Sequence, residues 1–135
     1  MIVLYDSDCG FCRWTIAWAL KRDRNHVLGV APIQSSTGAE LLADLDPAER
    51  LESAHAVHDD GRRESGGAAV RTVLEVLPSA RPLAWLAGLS PRLTEAVYRL
   101  VADHRSAVSR LVPARAKRRA DALLASGGRG LVPSR

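Results

Sequence analysis

Aromatic side chains are scarce in this 135-residue chain, with one Phe, two Tyr and three Trp, and cysteine is limited to Cys9 and Cys12. Two cysteines so close together cannot staple a small secreted domain, so a disulfide framework is excluded and the spacing points to redox or metal chemistry. No stretch approaches the ~18 uninterrupted apolar residues of a membrane-spanning helix. The chain runs from Met1 to Tyr5 straight into Asp6, without the basic and apolar regions of a secretion leader, so a cytoplasmic protein with no transmembrane segment is expected. Internal repeats and low-complexity tracts are also missing, and the seven Pro and ten Gly are dispersed. What remains is ordinary globular composition, 47% hydrophobic and 25% charged, enough for one core.

Charge is uneven. Residues 1–104 hold 11 basic and 14 acidic side chains, whereas 105–135 hold eight basic residues and a single acid, Asp121. The net charge of +4 is therefore a property of the C-terminal quarter. That quarter has no Trp, Tyr or Phe to stack on bases or anchor in a lipid interface, which argues against nucleic acid and membrane surfaces. A solvated helix face, available to an acidic partner, is the reading it supports.

The pattern predicts a buried strand over 2–5, a mostly buried helix over 11–20, a strand over 26–31 stopped by Pro32, and a short helix around 39–45. A strand over 53–58, a turn at Asp60-Gly61 and a strand over 62–65 form a hairpin. Helix 68–77 follows, then a short helix over 82–87 and one opened by Ser90-Pro91, whose stripe of Leu93, Val97, Leu100, Val101 and His104 extends toward Val108 and Leu111. A last helix over 116–125 sets Ala116, Ala120, Leu123 and Leu124 opposite Arg115, Arg118 and Arg119, with Gly127-Gly128 as its stop. The final GRGLVPSR has the look of a protease-site linker and is expected to fray. The order β-α-β-α-β-β-α followed by helices fits a thioredoxin-like α/β domain. The expected division is a redox domain over 1–104 with its covering helices and a basic helical extension over 105–135.

The segment that carries chemistry is Asp6-Ser7-Asp8-Cys9-Gly10-Phe11-Cys12-Arg13-Trp14. A CxxC astride a helix start brings the two sulfurs within disulfide reach, since Cα atoms one turn apart are about 5–6 Å from each other. Cys9, at the helix N-terminus, meets unpaired N–H groups and the positive end of the dipole, which favour a thiolate; Cys12 points inward. Cys9 is thus the candidate attacking thiol and Cys12 the resolving one. Gly10 leaves room for a bulky disulfide, Arg13 offers positive charge, Phe11 adjoins the dithiol, and Trp14 is placed to shape its mouth. Asp6, closing a buried strand, is the candidate proton relay for Cys12, and Asp8 reads as the N-cap.

The string DSDCGFC on a strand-to-helix junction resembles the DCC family of thiol-disulfide oxidoreductases, named for D-x-x-C-x-x-C, here Asp6, Cys9 and Cys12. The resemblance continues through Trp14, APIQS at 31–35, the DDG turn with Gly66 to Val70, and AVYRLVADHR at 96–105, covering roughly residues 2–105. It implies a thioredoxin-like fold and a redox role; a protein or small-molecule disulfide is the expected substrate, and no cofactor is expected. One departure stands out. Thioredoxins carry a cis-proline before the third strand to hold substrate backbone, whereas Leu51-Glu52-Ser53-Ala54-His55 has no proline, so substrate must be held differently.

Rival readings fare less well. A CxxC is half a zinc site, but His26, His55, His58 and His104 supply no second close-spaced pair, and no metal ligand set is assigned. His55 and His58 on one strand face opposite sides. Two chains sharing four thiolates, or a redox-sensing module without turnover, remains the non-enzymatic alternative. Asp6-x-Asp8 with Asp59-Asp60 also resembles the carboxylates of haloacid-dehalogenase-type phosphotransferases, but Gly10 replaces the usual Thr or Val and no lysine lies between Leu28 and Ala116. Trp14, Trp18 and Trp85 read as core residues.

Overall fold

The computed structural model describes residues 1–125. Strand β1 (Ile2–Tyr5) lies inside a four-stranded sheet of order β2-β1-β3-β4. It pairs in parallel with β2 (Gly29–Pro32) and antiparallel with β3 (His55–Val57), which pairs with β4 (Arg63–Ser65). β1 can occupy an interior position because IVLY is apolar on both faces. Alternation sends Val3 and Tyr5 into one cluster, with Val30, Leu77, and Ile16 and Ala19 of α1 (Gly10–Arg22). Leu4 goes to the other face, against Ala31, Ile33, Leu42 and Val57.

Helices cover both faces. α1 and α4 (Gly66–Val76) lie on the first, while Leu41 and Leu51, from α2 (Ser36–Leu41) and α3 (Pro47–Glu52), pack into the Leu4 cluster. A 3-10 turn (Pro78–Ala80), α5 (Arg81–Leu89) and α6 (Pro91–Asp103) follow, then α7 (Arg105–Leu111) and α8 (Ala114–Ala125). This is the thioredoxin-like α/β architecture that the element order implies. Gly67 lets α6 approach α4: a Cβ there would meet the Glu95 backbone at 3.0 Å, and its N–H donates to the Glu95 carboxylate at 2.8 Å. The Asp60-Gly61 turn forms as expected, with Gly61 at φ +85 and the His58 N–H on the Arg62 carbonyl at 2.8 Å.

Several boundaries differ from the pattern, each for a local reason. The segment 26–28 is loop rather than strand, because the buried Asp23 carboxylate accepts the N–H groups of Val27 at 3.1 Å and Leu28 at 2.8 Å. α2 starts before residue 39 because the Ser35 hydroxyl caps it through the Gly38 N–H. α3 is an additional helix: Asp46-Pro47-Ala48-Glu49 forms a full capping box, in which Asp46 accepts from Ala48 and Glu49 and the Glu49 carboxylate accepts the Asp46 N–H. The helix opened by Pro91 breaks at His104 and does not run through Val108.

Two corrections concern packing. Leu93, Val97 and Leu100 do not cover the core; Leu100 is 60% exposed, and Trp85, read as a core residue, is 66% exposed. In α1 the buried side chains are Ile16, Ala17 and Ala19, while Thr15 is exposed and Trp14 and Trp18 are half-buried, Trp18 with the Arg22 guanidinium over its ring. What covers α1 instead is α8, where Ala120 is 2% exposed and Leu124 packs on the Val3 cluster. The segment from 105 onward, expected as an accessory extension, is therefore built onto the first helix as far as residue 125. Arg115, Arg118 and Arg119 stay on its exposed side. The Gly127-Gly128 stop and the GRGLVPSR end lie outside the described residues.

Candidate active site

Strand β1 ends at Tyr5, and the next four residues turn the chain into α1. Asp6 Oδ1 accepts the Asp8 N–H at 2.9 Å, closing an Asx turn, and also accepts from Gln34 Nε2 at 2.7 Å. The Gln34 Oε1 in turn receives the Ser7 N–H at 3.1 Å and the Ser7 hydroxyl at 3.0 Å. Through Gln34, the loop after β2 thus grips the loop after β1 and fixes the approach to the cysteines.

Cys9 is itself the N-cap of α1: its backbone is extended and its Sγ accepts the Cys12 N–H at 3.2 Å. Asp8, read from sequence as the cap, is exposed and takes no part in it. Both thiols are free and half-buried, yet their acidities diverge. Cys9 is lowered to about 6, first because the Cys12 thiol donates to it and also through the Cys12 and Phe11 N–H groups, against burial and the Asp6 charge. Cys12 is pushed far up, first by its hydrogen bond to Cys9, then by burial and by the negative charges of Cys9 and Asp6, and Arg105 opposes the rise.

Cys12 faces a cavity of about 320 Å³ whose walls are almost wholly apolar, among them Phe11, Leu51, Val97, Tyr98 and Val101. The α3–β3 connection forms one wall, and the Tyr98 hydroxyl fastens it by accepting the Ala54 N–H at 2.8 Å. Arg105 closes the other end: it donates to the Leu51 carbonyl at 3.2 Å and pairs with Asp6 Oδ2 at 3.6 Å, where Asp6 is only 13% exposed. Where thioredoxins would set a proline, this chain has the 51–54 segment tied down by Tyr98 at the Ala54 N–H and by Arg105 at the Leu51 carbonyl.

The predicted site residues scatter more than their spacing suggests. Asp6, Phe11 and Cys12 line the cavity together. Gly10 packs away from it, toward α7 and α8, where a Cβ would meet the Ser109 hydroxyl at 3.4 Å and the Lys117 stem at 3.6 Å in ordinary contact. Arg13 is turned to other partners: its Nε donates to Asp121 of α8 at 2.7 Å and its Nη1 to the Ser7 carbonyl. Trp14 makes a tilted ring contact with Phe11, centroids 6.1 Å apart, and does not line the cavity. Tyr98, Arg105 and Gln34 escape a reading based on the motif, although the quoted stretches AVYRLVADHR and APIQS contain them.

The rival constellations come apart. Asp59 pairs with the Met1 amine at 2.8 Å, at the opposite end of β1 from Asp6, so the four aspartates of the phosphotransferase reading never meet. His55 is buried with both ring nitrogens engaged, by the Ser65 hydroxyl and the Arg50 carbonyl, and burial lowers its pKa. Among the described residues no group of three or more His, Cys, Asp or Glu side chains is placed to hold a metal ion.

A thioredoxin-like sheet that delivers two inequivalent thiols to a helix N-terminus defines a dithiol domain of the oxidoreductase type. The profile of the DCC1-like thiol-disulfide oxidoreductases matches residues 3–111, and the chain belongs to that family. No curated protein and no solved structure matches it. Among the described residues no helix is long and apolar enough to cross a membrane.

Proposed function

We propose that the protein performs dithiol-disulfide exchange, with Cys9 attacking and Cys12 resolving. The observation that carries this is the split between the thiols: Cys9 is poised near pH 6 at the helix cap, and Cys12 is held protonated one turn deeper. The Cys9 thiolate attacks one sulfur of a substrate disulfide, forming a mixed disulfide and expelling the other sulfur as a thiolate that takes up a proton. Cys12 then loses its proton and attacks Cys9. The Cys9–Cys12 bond forms, the mixed disulfide breaks, and the second substrate sulfur leaves as thiolate; the protein is oxidised by two electrons and the substrate reduced. Asp6, beside both sulfurs, is the acceptor proposed for the Cys12 proton.

An apolar cavity at Cys12 suits disulfides set among apolar side chains, hence polypeptide substrates, with Phe11, between the two cysteines in sequence, among its walls. The exposed Arg115, Arg118 and Arg119 offer an acidic partner a docking face on α8. Two cysteines, both in the motif, fit a reducing compartment such as the cytoplasm.

Reduction of insulin with a dithiol donor tests the proposal, alongside capture of mixed disulfides on Cys12→Ser. Full activity in Cys9→Ala would sink it. So would about one zinc per two chains, lost with dimerisation in Cys9→Ser, which would favour a shared four-thiolate site.

A further inference from the structure

Arg105 is the first residue of α7, after the break at His104, and it reaches back to the dithiol. Its guanidinium joins three elements: its own helix, the Leu51 carbonyl at the end of α3, and the Asp6 carboxylate after β1. It also lines the cavity into which Cys12 faces. The titratable and charged groups surrounding Cys12 are Tyr5 and Asp6 from β1 and its loop, Cys9 from the helix cap, Glu52 from α3, Tyr98 from α6, and Arg105. Of the charged groups of α8 next to α1, Asp121 is bound to Arg13 and the stem of Lys117 lies by Gly10, and neither lines the cavity. Arg105 is thus the cation on the Cys12 side of the site, among two carboxylates and two phenols.

We propose that Arg105 is a positioning residue for the second half of the exchange, holding Asp6 and the 51–54 connection against Cys12 and offsetting the carboxylate's charge where the Cys12 thiolate must form. This rests on the exchange mechanism above. The asymmetry of the site supports it: Asp6 raises both thiols, whereas Arg105 opposes that rise at Cys12 and is not among the groups that set Cys9. Removing the arginine leaves Asp6 uncompensated beside Cys12 while the cap interactions that activate Cys9 persist.

Reaction of the reduced protein with 5,5′-dithiobis(2-nitrobenzoate) separates the two steps, because attack by Cys9 releases one coloured thiolate and resolution by Cys12 releases the second. In Arg105→Gln the second phase should slow about tenfold at neutral pH and its pH profile should move up by about one unit, the shift that corresponds to a tenfold loss of thiolate. The first phase should stay within about twofold, and Arg105→Lys should restore much of the second. In an Asp6→Asn background the effect of Arg105→Gln should shrink, since the charge it offsets is gone. Equal slowing of both phases, or a slower second phase with an unmoved pH profile, would overturn the proposal and leave Arg105 a structural tie. Loss of the second phase in the unaltered protein, or its persistence in Cys9→Ser, would instead overturn the exchange mechanism itself.

Discussion

The N–H of Cys12 points at the sulfur of Cys9, 3.2 Å away, so the group that caps the first helix is the thiol that the helix activates. Most helices are capped by the oxygen of Ser, Thr, Asp or Asn, which is bound more tightly but carries no redox chemistry. The Cys12 thiol, donating to that sulfur, and then the Cys12 and Phe11 N–H groups favour its thiolate and lower its pKa to about 6.

Alkylation of Cys9 by iodoacetamide should therefore rise with pH around a midpoint near 6. In Cys12→Ala the midpoint should move up, because the Cys12 thiol is the largest single contributor to the lowering. A stability signature accompanies it. Cys9 has a folded acidity near 6 against an ordinary value of 9.0, so the reduced protein should gain stability as pH rises from 6 to 9 and lose that gain as pH falls back through 6. Above 9 Cys12 acts in the opposite sense, since unfolding frees it to ionise. Denaturant midpoints of the reduced form across this range, compared with Cys9→Ser, isolate the contribution.

Asp6→Asn should have opposite effects on the two steps. The Asp6 charge raises both thiols, so its removal should lower the Cys9 alkylation midpoint and speed attack below pH 6. Resolution should slow, because the proposed acceptor for the Cys12 proton is lost. Faster attack with unchanged resolution would show that the carboxylate only repels the thiolates.

The sheet and the motif were legible from sequence because their signals are local. IVLY before DSD, DDG between two short strands and CxxC at a helix start each carry their geometry within a few residues. What escaped was tertiary. Asp23 removes three residues from β2 through a side chain that reaches four and five residues on, and nothing in HVLGVA announces it. Leu93 and Leu100 repeat with the helical period whether they face a core or water, and here they face water, while Val97 of the same stripe walls the cavity. Arg105 and Tyr98 enter the site only because α6 and α7 fold back over the α3–β3 connection, a long-range event with no spacing of its own. The capping box at Asp46-Pro47-Ala48-Glu49 is different: its signal is local and sufficient to place α3.

The same contrast predicts unequal costs of substitution. Leu77 is fully buried between the sheet and its helices, and Leu77→Ala should cost about 2–5 kcal/mol through lost burial and the cavity left behind. Leu100→Ser, on the exposed stripe of α6, should change stability by less than about 0.5 kcal/mol. Urea denaturation of the two variants checks this directly, and a cost at Leu100 near that at Leu77 would mean that the stripe is covered in solution.

Truncation after Pro113 should destabilise the protein and disturb the dithiol together. It removes α8, and with it the buried Ala120 and the Leu124 contact on the Val3 cluster, and it uncovers the side of α1 that carries Arg13. Burying a leucine contributes roughly 1.5–3 kcal/mol, so losing the Leu124 contact with that of Ala120 should lower stability by about 2–4 kcal/mol. The Arg13–Asp121 pair is partly exposed and adds at most about 1 kcal/mol, so Asp121→Asn alone should reproduce only a small part of the loss. Arg13 also holds the Ser7 carbonyl, and Lys117 packs over Gly10, so freeing both loosens the turn that presents Cys9 and should raise its alkylation rate. Urea midpoints and iodoacetamide rates of the truncated and full-length chains provide the test. An unchanged midpoint with an unchanged Cys9 rate would return the basic helix to the role of a detachable extension, held against α1 too weakly to matter to either fold or chemistry.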